Sequence, residues 1–328
     1  MAEKRTNIIQ TIVQRSNLAR YYYLKLYWAR LKDSKGLNDV EYFKRRHKHI
    51  TGQELDLENP VTFTEKLYFL SLSNRDPLLK KCSDKYLVRE YVGDCGLGHI
   101  LNDLYGVYDS AADIDFDRLP SPCILKLNHA SGFNAIYDRR KPFDKRDFVR
   151  KFDFMLKQDY YWNCREWNYK HIKPRIICER LLEDDQSGLG LIDYKFMCFR
   201  GLAKALLITI DTCDATGAPN EAIRRNLYDM DFNFLPVTMN GPNIPLDLVG
   251  KPANFEEMRS YAETLAKPFP HCRIDLYNVE GKIYFGEITF FHGAGLIIFE
   301  PHEWALQLGD WIDLTGYKIA ADALLPPG

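Results

Sequence analysis

The sequence predicts an α+β protein in which antiparallel sheets pack against helices. The first observation is a β-hairpin at 272–290, where two alternating runs flank the turn Glu280-Gly281-Lys282. The second is a series of short strand-like runs that begins after Pro122. The third is a pair of helical segments at 145–160 and 255–267 that interrupt these strands. This order favours mainly antiparallel sheets with helices on one side.

The first 50 residues are basic and rich in aromatic side chains. They carry 12 Lys and Arg against 4 Asp and Glu, a local charge of +8 in a chain whose net charge is −1. Residues 17–32 predict one helix, and two interpretations of it remain open. The helix either packs on the main body or rests on a membrane surface or an anionic glycan. Packing would bury the side chains of Leu18, Tyr22, Tyr27 and Trp28.

The next elements are marked by caps and breakers. A boundary is expected near Pro60, and a helix should begin after Thr62, which has the position of an N-cap. A second helix should run from Lys85 to about Tyr91 and end near the glycines at 93 and 96. The predicted strands that follow lie at 123–127, 175–182, 194–199 and 203–210.

Composition narrows the class of protein. The chain has 328 residues, of which 46% are hydrophobic and 27% charged, as in an ordinary soluble protein of one large domain or two to three smaller ones. Its eight cysteines form no CxxC and no Cys/His cluster, so reduced thiols are expected. We see neither a signal peptide nor an apolar run of the ~18 residues that a membrane span needs. We therefore expect a cytoplasmic protein without a nucleic-acid partner.

The hairpin carries charges on one face. Arg273 and Asp275 are two residues apart on its first strand, and Glu287 and Thr289 are two apart on its second. Such groups are costly to bury unless something charged is bound to them. Two carboxylates and a hydroxyl suit Mg²⁺, and an arginine suits phosphate. An exposed ladder of ion pairs fits the same pattern and remains open.

The segment around Lys126 suits a phosphate. The strand 123–127 leads into a loop at 128–134 that contains His129, Ser131 and Gly132. Lysine supplies a point charge and a loop of small residues supplies backbone N–H groups. The loop matches neither a P-loop nor a Rossmann turn, and a plain Ser-Gly turn fits it equally well. No histidine has the partners of a hydrolase triad.

Two later strands carry polar groups with more than one interpretation. Residues 176–184 end a strand with carboxylates, which suits either a linker that binds adenine and ribose or a solvated strand end. Residues 193–200 alternate, so Asp193 and Lys195 share one face. Lys195 is then either solvated or directed at an anionic substrate.

Taken in order, these segments resemble the TupA-like branch of the ATP-grasp superfamily, which is named for teichuronopeptide biosynthesis and found among bacterial surface-polysaccharide genes. The resemblance covers roughly residues 58–300. It rests on the segments PVTFTEKLYFLSLSNRDPLLKKCSDKYLVREYV, CILKLNHASG, REWNYK, RIICERLLED, LIDYKFMCFRG and CRIDLYNVEGKIYFGEITF.

The resemblance implies an ATP-grasp fold, in which two antiparallel-sheet lobes hold the nucleotide, with an N-terminal helical extension. The implied parts are a basic, aromatic-rich extension at 1–58, an N-terminal lobe at 59–120, a small subdomain with the phosphate loop at 121–182, and a large subdomain with the metal-binding hairpin at 183–328. The implied cofactors are ATP and Mg²⁺.

The resemblance also assigns roles to residues. The implied phosphate-binding residues are Lys85, Lys126, His129, Ser131 and Gly132. The implied adenosine-binding residues are Glu179, Arg180, Leu181, Leu182 and Glu183. The implied Mg²⁺ ligands are Asp275, Glu287 and Thr289, although many ATP-grasp enzymes have Asn at the last position. The implied catalytic residues are Arg273, Lys126 and Lys195, with Arg273 stabilising the transferring phosphoryl group and an acyl phosphate.

The implied activity is that of an ATP-dependent carboxylate–amine ligase that releases ADP and phosphate. The expected substrates are a uronic acid of a capsule, O-antigen or teichuronic-type glycan, free or as a sugar nucleotide, and an amino acid or amine. An ATP-grasp kinase acting on a sugar hydroxyl remains an alternative. A glycosyltransferase is disfavoured because the DxD sequence Asp113-Ile114-Asp115 lies in a predicted surface turn. A non-enzymatic scaffold is disfavoured because the two phosphate lysines and both acidic metal ligands are present. A membrane-bound N-terminus would place the protein at the inner face of the membrane.

Overall fold

The structure is a computed structural model that describes residues 16–33, 36–184, 188–212, 216–217 and 223–326. Its α-helices are α1 (Asn17–Asp33), α2 (Asp39–Thr51), α3 (Phe63–Ser73), α4 (Pro77–Ser83), α5 (Val88–Asp94), α6 (Lys145–Met155), α7 (Tyr161–Cys164), α8 (Phe255–Ala266) and α9 (Glu303–Asp310). Its strands are β1 (Leu104–Tyr108), β2 (Cys123–Leu127), β3 (Asn134–Tyr137), β4 (Ile176–Arg180), β5 (Asp193–Phe199), β6 (Leu202–Ile210), β7 (Arg224–Tyr228), β8 (Phe234–Leu235), β9 (Thr238–Met239), β10 (His271–Val279), β11 (Lys282–Thr289) and β12 (Phe299–Glu300).

The strands form two main sheets, and every pairing within them is antiparallel. One sheet has the strand order β1-β4-β2-β3, and the other has the order β11-β10-β5-β6-β7-β8. β9 and β12 form a small separate pair. The prediction of an α+β protein with antiparallel sheets is confirmed.

The smaller sheet buries one face against α6. On β2, Cys123, Leu125 and Leu127 are buried, and they share a core with Phe148 and Phe152 of α6. Since side chains alternate along a strand, Lys126 lies on the opposite face. This alternation places the lysine toward the space between the two sheets.

The larger sheet buries one face against α8. Phe196 of β5 packs on Phe255 of α8 with 5.8 Å between ring centroids, and Ile274 of β10 lies in the same core. The alternate residues Lys195 and Asp275 therefore lie on the other face. This face is the floor of a cleft that the smaller sheet borders.

The N-terminal helix packs through only part of its aromatic set. Trp28 is 3% exposed and belongs to the core of the smaller sheet. Leu18, Tyr22 and Tyr27 are 49%, 55% and 40% exposed. The packing interpretation is therefore right for Trp28 and wrong for Leu18 and Tyr22, because the face of the helix that carries Leu18 and Tyr22 points away from the body.

Helix α2 ties the predicted extension to the rest of the chain. Asp39 forms an ion pair with buried Arg165 at 3.0 Å, and the ring of Phe43 lies 4.8 Å from that of Tyr68 on α3. The predicted boundary at 58/59 thus separates segments that share buried contacts. β1, which precedes the predicted boundary at 120/121, pairs with β4 of the smaller sheet.

Two predicted helices differ from the structure. The predicted helix at 145–160 ends at Met155, where the side chain of Gln158 caps the carbonyl of Phe154 at 2.9 Å. The helix predicted from Lys85 begins at Val88 instead. The Asp84 carboxylate accepts hydrogen bonds from the backbone N–H groups of Tyr86 and Leu87, and these bonds hold a turn before the helix. The other predicted helices and strands agree with the structure within two residues at each end.

The described residues contain no helix that is long and apolar enough to cross a membrane. The cysteines in this part of the chain are free, and Cys213 lies outside it. Residues 111–113 form a 3-10 turn outside the sheets, as the predicted surface turn requires.

Candidate active site

The charged residues of the hairpin meet on the cleft face of the larger sheet. Arg273 pairs with Thr289 across the two strands, and Asp275 pairs with Glu287. Asp275 also pairs with Lys195 on the neighbouring strand β5. The sequence therefore grouped the four hairpin residues correctly on one face, and the structure adds Lys195 to them.

Arg273 is the centre of this network. Its Nε and Nη2 donate to the two carboxylate oxygens of Asp275 at 2.6 and 2.7 Å, a bidentate pairing that fixes the plane of the guanidinium. Nη2 also donates to Thr289 Oγ1 at 3.0 Å and to Glu287 Oε1 at 3.4 Å. The Thr289 hydroxyl in turn donates to Glu287 Oε1 at 3.0 Å.

Glu287 is held as a carboxylate by nearby positive charge. Burial alone would raise its pKa, but Lys85, Arg273 and Lys195 lower the pKa of Glu287 to about 2. Its side chain is still 38% exposed. Glu287 is thus an ionised carboxylate that remains accessible from the cleft and can bind a metal ion.

Gly286 allows Glu287 to reach this position. The register of the hairpin shifts by a bulge between Asp275 and the next residue, opposite Gly286. A Cβ at Gly286 would lie 2.9 Å from the Asp275 carbonyl oxygen and 3.1 Å from the ring of Tyr277. Only glycine fits this close approach of the two strands without a shift.

Lys195 is held between two acids. Its Nζ lies 2.9 Å from Asp275 Oδ2 and 3.2 Å from Asp193 Oδ1. Burial disfavours its charge, but these carboxylates outweigh that effect and raise the pKa of Lys195. The sequence placed Asp193 on this face without assigning it a role, and the structure makes it a second partner of the lysine.

The donor set of the hairpin fits Mg²⁺. Asp275 and Glu287 offer carboxylate oxygens and Thr289 offers a hydroxyl, the hard ligands that this ion prefers. Within the described ranges no three His, Cys, Asp or Glu side chains gather as a metal cluster. The arrangement therefore suits an ion that is also held by substrate phosphates, as Mg²⁺ commonly is.

The opposite wall of the cleft carries the two predicted phosphate lysines. Lys126 Nζ lies 3.0 Å from Glu179 Oε2, while Arg89 Nη1 lies 3.2 Å from the other oxygen of that carboxylate. Glu179 therefore orients Lys126, and its expected contact with adenosine stays a prediction. Lys85 donates to the Ala130 carbonyl at 2.7 Å and so supports the phosphate loop from beneath.

In the phosphate loop at 128–134, Ser131 and Gly132 are accessible as expected, whereas His129 is not. Ser131 and Gly132 are exposed, and Gly132 has a φ of 70° that favours glycine. The Tyr160 hydroxyl donates to the Ser131 carbonyl at 3.4 Å. His129 is 1% exposed, and burial lowers its pKa to about 4. Its ring is buried under the loop, so the expected direct contact with phosphate is not possible in this conformation.

A cavity of about 360 Å³ lies at one end of the cleft. It is lined by Arg180, Leu181, Leu182, Glu183, Val279, Glu280, Lys282 and Tyr284. These are the predicted linker residues on one side and the hairpin turn on the other, and the volume is within the range of small-molecule sites. Contact of the predicted linker residues with adenosine in this cavity stays a prediction.

Arg180, which lines this cavity, is bonded through both its backbone and its side chain. Its backbone N–H donates to the Asp103 carbonyl at 3.0 Å, and its carbonyl accepts from Asn102 Nδ2 at 2.8 Å. Its side chain donates to the Tyr284 hydroxyl at 2.6 Å. The Arg180 N–H is therefore already bonded, while its carbonyl keeps a second lone pair, so contact of the Arg180 to Leu182 backbone with adenine stays a prediction.

Two features of the site were missed by sequence reasoning. His271 Nε2 and His292 Nε2 lie 3.1 Å apart, and burial lowers the pKa of His271 to about 3. His271 continues the alternation that contains Arg273, which was the signal available in the sequence. The second feature is the buried Glu166, which is 7% exposed and whose pKa burial raises to about 8, and for which the sequence offers no periodic signal.

The family of the chain follows from a match to a protein-family model. The model described as TupA-like ATPgrasp matches residues 65–313. The match covers well over half of the 328 residues, so the chain belongs to the TupA-like ATP-grasp family. No curated protein matches the sequence.

Several solved structures resemble the chain at low sequence identity. An L-amino acid ligase from Bacillus licheniformis is 15% identical with a TM-score of 0.43, covering 75% of this chain and 53% of the ligase. A D-alanine–D-alanine ligase from Bacillus anthracis is 16% identical with a TM-score of 0.40, covering 70% and 66%. A phosphoribosylamine–glycine ligase from Thermotoga maritima is 10% identical with a TM-score of 0.39, covering 66% and 50%. The chain thus spans between half and two thirds of the length of these ligases.

Proposed function

We propose that the protein is an Mg²⁺- and ATP-dependent ligase that joins a carboxylate to an amine through an acyl phosphate. The observation that carries the proposal is the interaction of Lys85 with Glu287 across the cleft. Lys85 supports the phosphate loop, and its charge is the main one that keeps Glu287 of the hairpin ionised. A phosphate-binding wall and an acidic wall therefore face the same space. Membership of the ATP-grasp family supports ATP as the substrate that fills it.

The residues of the chain divide the chemistry between them. Lys85 and Lys126 stabilise the negative charge of the triphosphate. Arg273, whose plane Asp275 fixes, stabilises the phosphoryl group as it passes to a carboxylate oxygen of the substrate. Lys195 adds positive charge on the same face. Bound at Asp275 and Glu287, Mg²⁺ supplies further charge neutralisation to the phosphates.

The test is an acid-dependent reaction with hydroxylamine. With Mg·ATP and a panel of uronic acids, the ligase forms ADP and a hydroxamate, because hydroxylamine traps an acyl phosphate. ADP formed with a neutral sugar and without hydroxamate would show a kinase instead. Release of AMP or UDP would contradict both reactions.

We further propose that the carboxylate belongs to a uronic acid of a bacterial cell-surface polysaccharide, presented in the cytoplasm as a glycan or sugar nucleotide, and that the amine is an amino acid or related amine. Membership of the TupA-like family supports this choice, as does the local charge of +8 in the first 50 residues, which suits anionic acceptors. In a panel of free acids, glucuronate and galacturonate should give ADP where neutral glucose does not.

Helix α1 suits an anionic membrane surface. Leu18, Tyr22 and Leu26 are exposed and four residues apart, so they form one apolar face, and exposed Lys25 lies beside it. Each basic residue near an anionic surface contributes about 1 kcal/mol, screened by salt. We propose that this face contacts anionic lipids and brings the site to lipid-linked acceptors.

Liposome binding tests this contact. Leu26→Ser should weaken binding to vesicles with phosphatidylserine, and binding should fall with salt. Leu202→Ser, which changes an equally exposed leucine on β6, is the matched control. Equal binding of both variants, or binding to neutral vesicles alone, would exclude α1 as the contact.

A further inference from the structure

A second cavity lies outside the cleft, between the end of α4, the turn that follows it and the segment that leads into β4. Its volume is about 410 Å³, within the range of small-molecule sites. Five of its nine lining residues are basic and two are acidic, and one of each, Lys81 and Glu90, pair with each other at 3.2 Å. Leu87 and Lys173 at its rim are exposed. The cavity therefore opens to solvent, and its charge favours an anionic ligand.

Asn128 separates this cavity from the phosphate loop. Its side chain accepts the Arg175 N–H at 2.6 Å and donates to the Lys173 carbonyl at 3.0 Å. Its carbonyl accepts the Lys85 N–H at 3.0 Å. The Lys85 side chain donates to the phosphate loop, whereas the residue before it, Asp84, lines the cavity. The cavity and the ATP site are therefore separate places that share a wall.

Asp84 brings an unsatisfied acceptor to this cavity. It is 1% exposed, and its Oδ1 accepts the backbone N–H groups of Tyr86 and Leu87 at 2.8 and 3.2 Å. Its Oδ2 is buried and has no hydrogen-bond partner among the residues that the structure describes. A buried carboxylate oxygen without a donor is costly. A hydroxyl group of a ligand would satisfy it.

The basic residues of the cavity are only partly neutralised. Lys80 Nζ lies 4.1 Å from the centroid of the Trp167 ring, and no acid of the described ranges forms an ion pair with it. Lys173 Nζ and Arg175 Nε lie 3.2 and 3.8 Å from the same oxygen of Asp109, whose side chain is 67% exposed. One exposed aspartate shared by two cations leaves positive charge on this side. An anionic group of a ligand is therefore favoured there.

The cavity also has an apolar side, which Leu87 and Ile172 form. A sugar ring presents C–H groups on its faces and hydroxyl groups at its edge, and a uronic acid adds a carboxylate. Such a residue offers its C–H face to the apolar side, a hydroxyl group to Asp84 and a negative charge to the lysines. A bare anion such as phosphate would leave the apolar side uncovered. An acidic sugar therefore matches all three features.

We propose that this cavity is a second binding site that takes an acidic sugar residue, with its carboxylate at Lys80 and Lys173 and a ring hydroxyl donating to Asp84. Because the cavity opens at its rim, the sugar is either one residue of a longer acidic glycan or a free sugar acid. The proposal goes beyond the ligase chemistry, since binding here requires neither ATP nor an amine. The site holds an acidic sugar beside the cleft, apart from the carboxylate that reacts.

The experiment measures binding by calorimetry in the complete protein without nucleotide. The probes are trigalacturonate, its fully methyl-esterified form, galacturonate and inorganic phosphate. The methyl ester keeps the hydroxyl groups of trigalacturonate but carries no charge. It should bind more weakly by roughly 10- to 100-fold, the effect of one charge-assisted hydrogen bond.

Substitutions at the cavity locate the binding. Lys173→Met, at the exposed rim, should weaken the binding of trigalacturonate by roughly 5- to 10-fold without changing the melting temperature. Asp84→Asn should weaken trigalacturonate and its methyl ester by similar factors, because the lost acceptor serves a hydroxyl group that both carry. Lys141→Met changes an exposed lysine after β3 that also pairs with one aspartate. It is the matched control and should bind as the wild type does.

The outcomes decide both the site and the source of its ligand. The proposal is overturned if the wild type does not bind trigalacturonate, binds its methyl ester equally well, or loses no affinity in Lys173→Met. Phosphate binding that responds to Lys173→Met while trigalacturonate binding does not would show an anion site and would also overturn it. If Asp84→Asn does not fold, Lys173→Met decides alone. Stronger binding of trigalacturonate than of galacturonate assigns the upheld site to a glycan, and equal binding assigns it to a free sugar acid.

Discussion

The buried Glu166 should make the stability of the protein depend on pH in a way that one substitution removes. Burial raises its pKa from 4.5 to about 8, so the folded state binds this proton more tightly than the unfolded state. The stability that the protonated carboxyl contributes is complete below pH 4.5 and is lost as the pH rises to 8. A difference of 3.5 pKa units corresponds to roughly 5 kcal/mol, an upper limit that water in the cleft reduces.

Glu166→Gln removes this titration and keeps the size of the side chain. We expect the free energy of unfolding of the variant, relative to the wild type, to increase by about 2 to 4 kcal/mol between pH 5 and pH 8.5. The groups that act on Glu166 are Arg46 from α2, Cys164 and, from β11, Glu287. Their contributions are present in both proteins and largely cancel in the difference.

Urea denaturation at pH 5, 6.5 and 8.5 measures this difference directly. Glu58→Gln, a change at an exposed position, is the control and should show no trend with pH. A constant difference between Glu166→Gln and the wild type over this range would mean that Glu166 ionises with an ordinary pKa. The reasoning that burial raises the pKa of this carboxyl would then be refuted.

Three further predictions concern the nucleotide side of the cleft. Glu287→Gln should abolish ADP formation without changing the melting temperature by more than a few degrees, because one anionic metal ligand is lost at constant volume; near-normal turnover would remove Glu287 from the site. Lys126→Met should weaken ATP binding in calorimetry more than adenosine binding, since the base and ribose are held elsewhere, and equal weakening would point to a folding effect. Gly286→Ala should cost about 1 to 3 kcal/mol of stability and most activity, because its Cβ would lie 2.9 Å from the Asp275 carbonyl oxygen, whereas Gly250→Ala, with open space around it, should be neutral.

The metal hairpin was the part of the site that the sequence predicted best. Alternation in a strand fixes which residues share a face, so Arg273 and Asp275 had to point the same way, as had Glu287 and Thr289. The turn at Glu280-Gly281-Lys282 then set the two strands against each other. The bulge at Gly286 was not foreseen, since a glycine in a strand pattern marks a close approach only when the neighbouring strand is known.

Predictions that depended on exposure were less accurate. His129 stands in the expected loop, but its ring turns inward and is buried. Glu179 lies in the expected strand, and its carboxylate is paired with Lys126 and Arg89. Neighbours far apart in sequence decide both outcomes, and local patterns carry no information on them.

Arg46 and Glu166 show where sequence reasoning stops for another reason. Arg46 belongs to a run of basic residues that reads as a solvated helix face, and Glu166 stands in a segment without periodicity. Only the structure shows that one nitrogen of this basic run, Nη1 of Arg46, is buried. Removing residues 1–58 would therefore disturb the cleft as well as any membrane contact, which is why point substitutions on α1 are the better test.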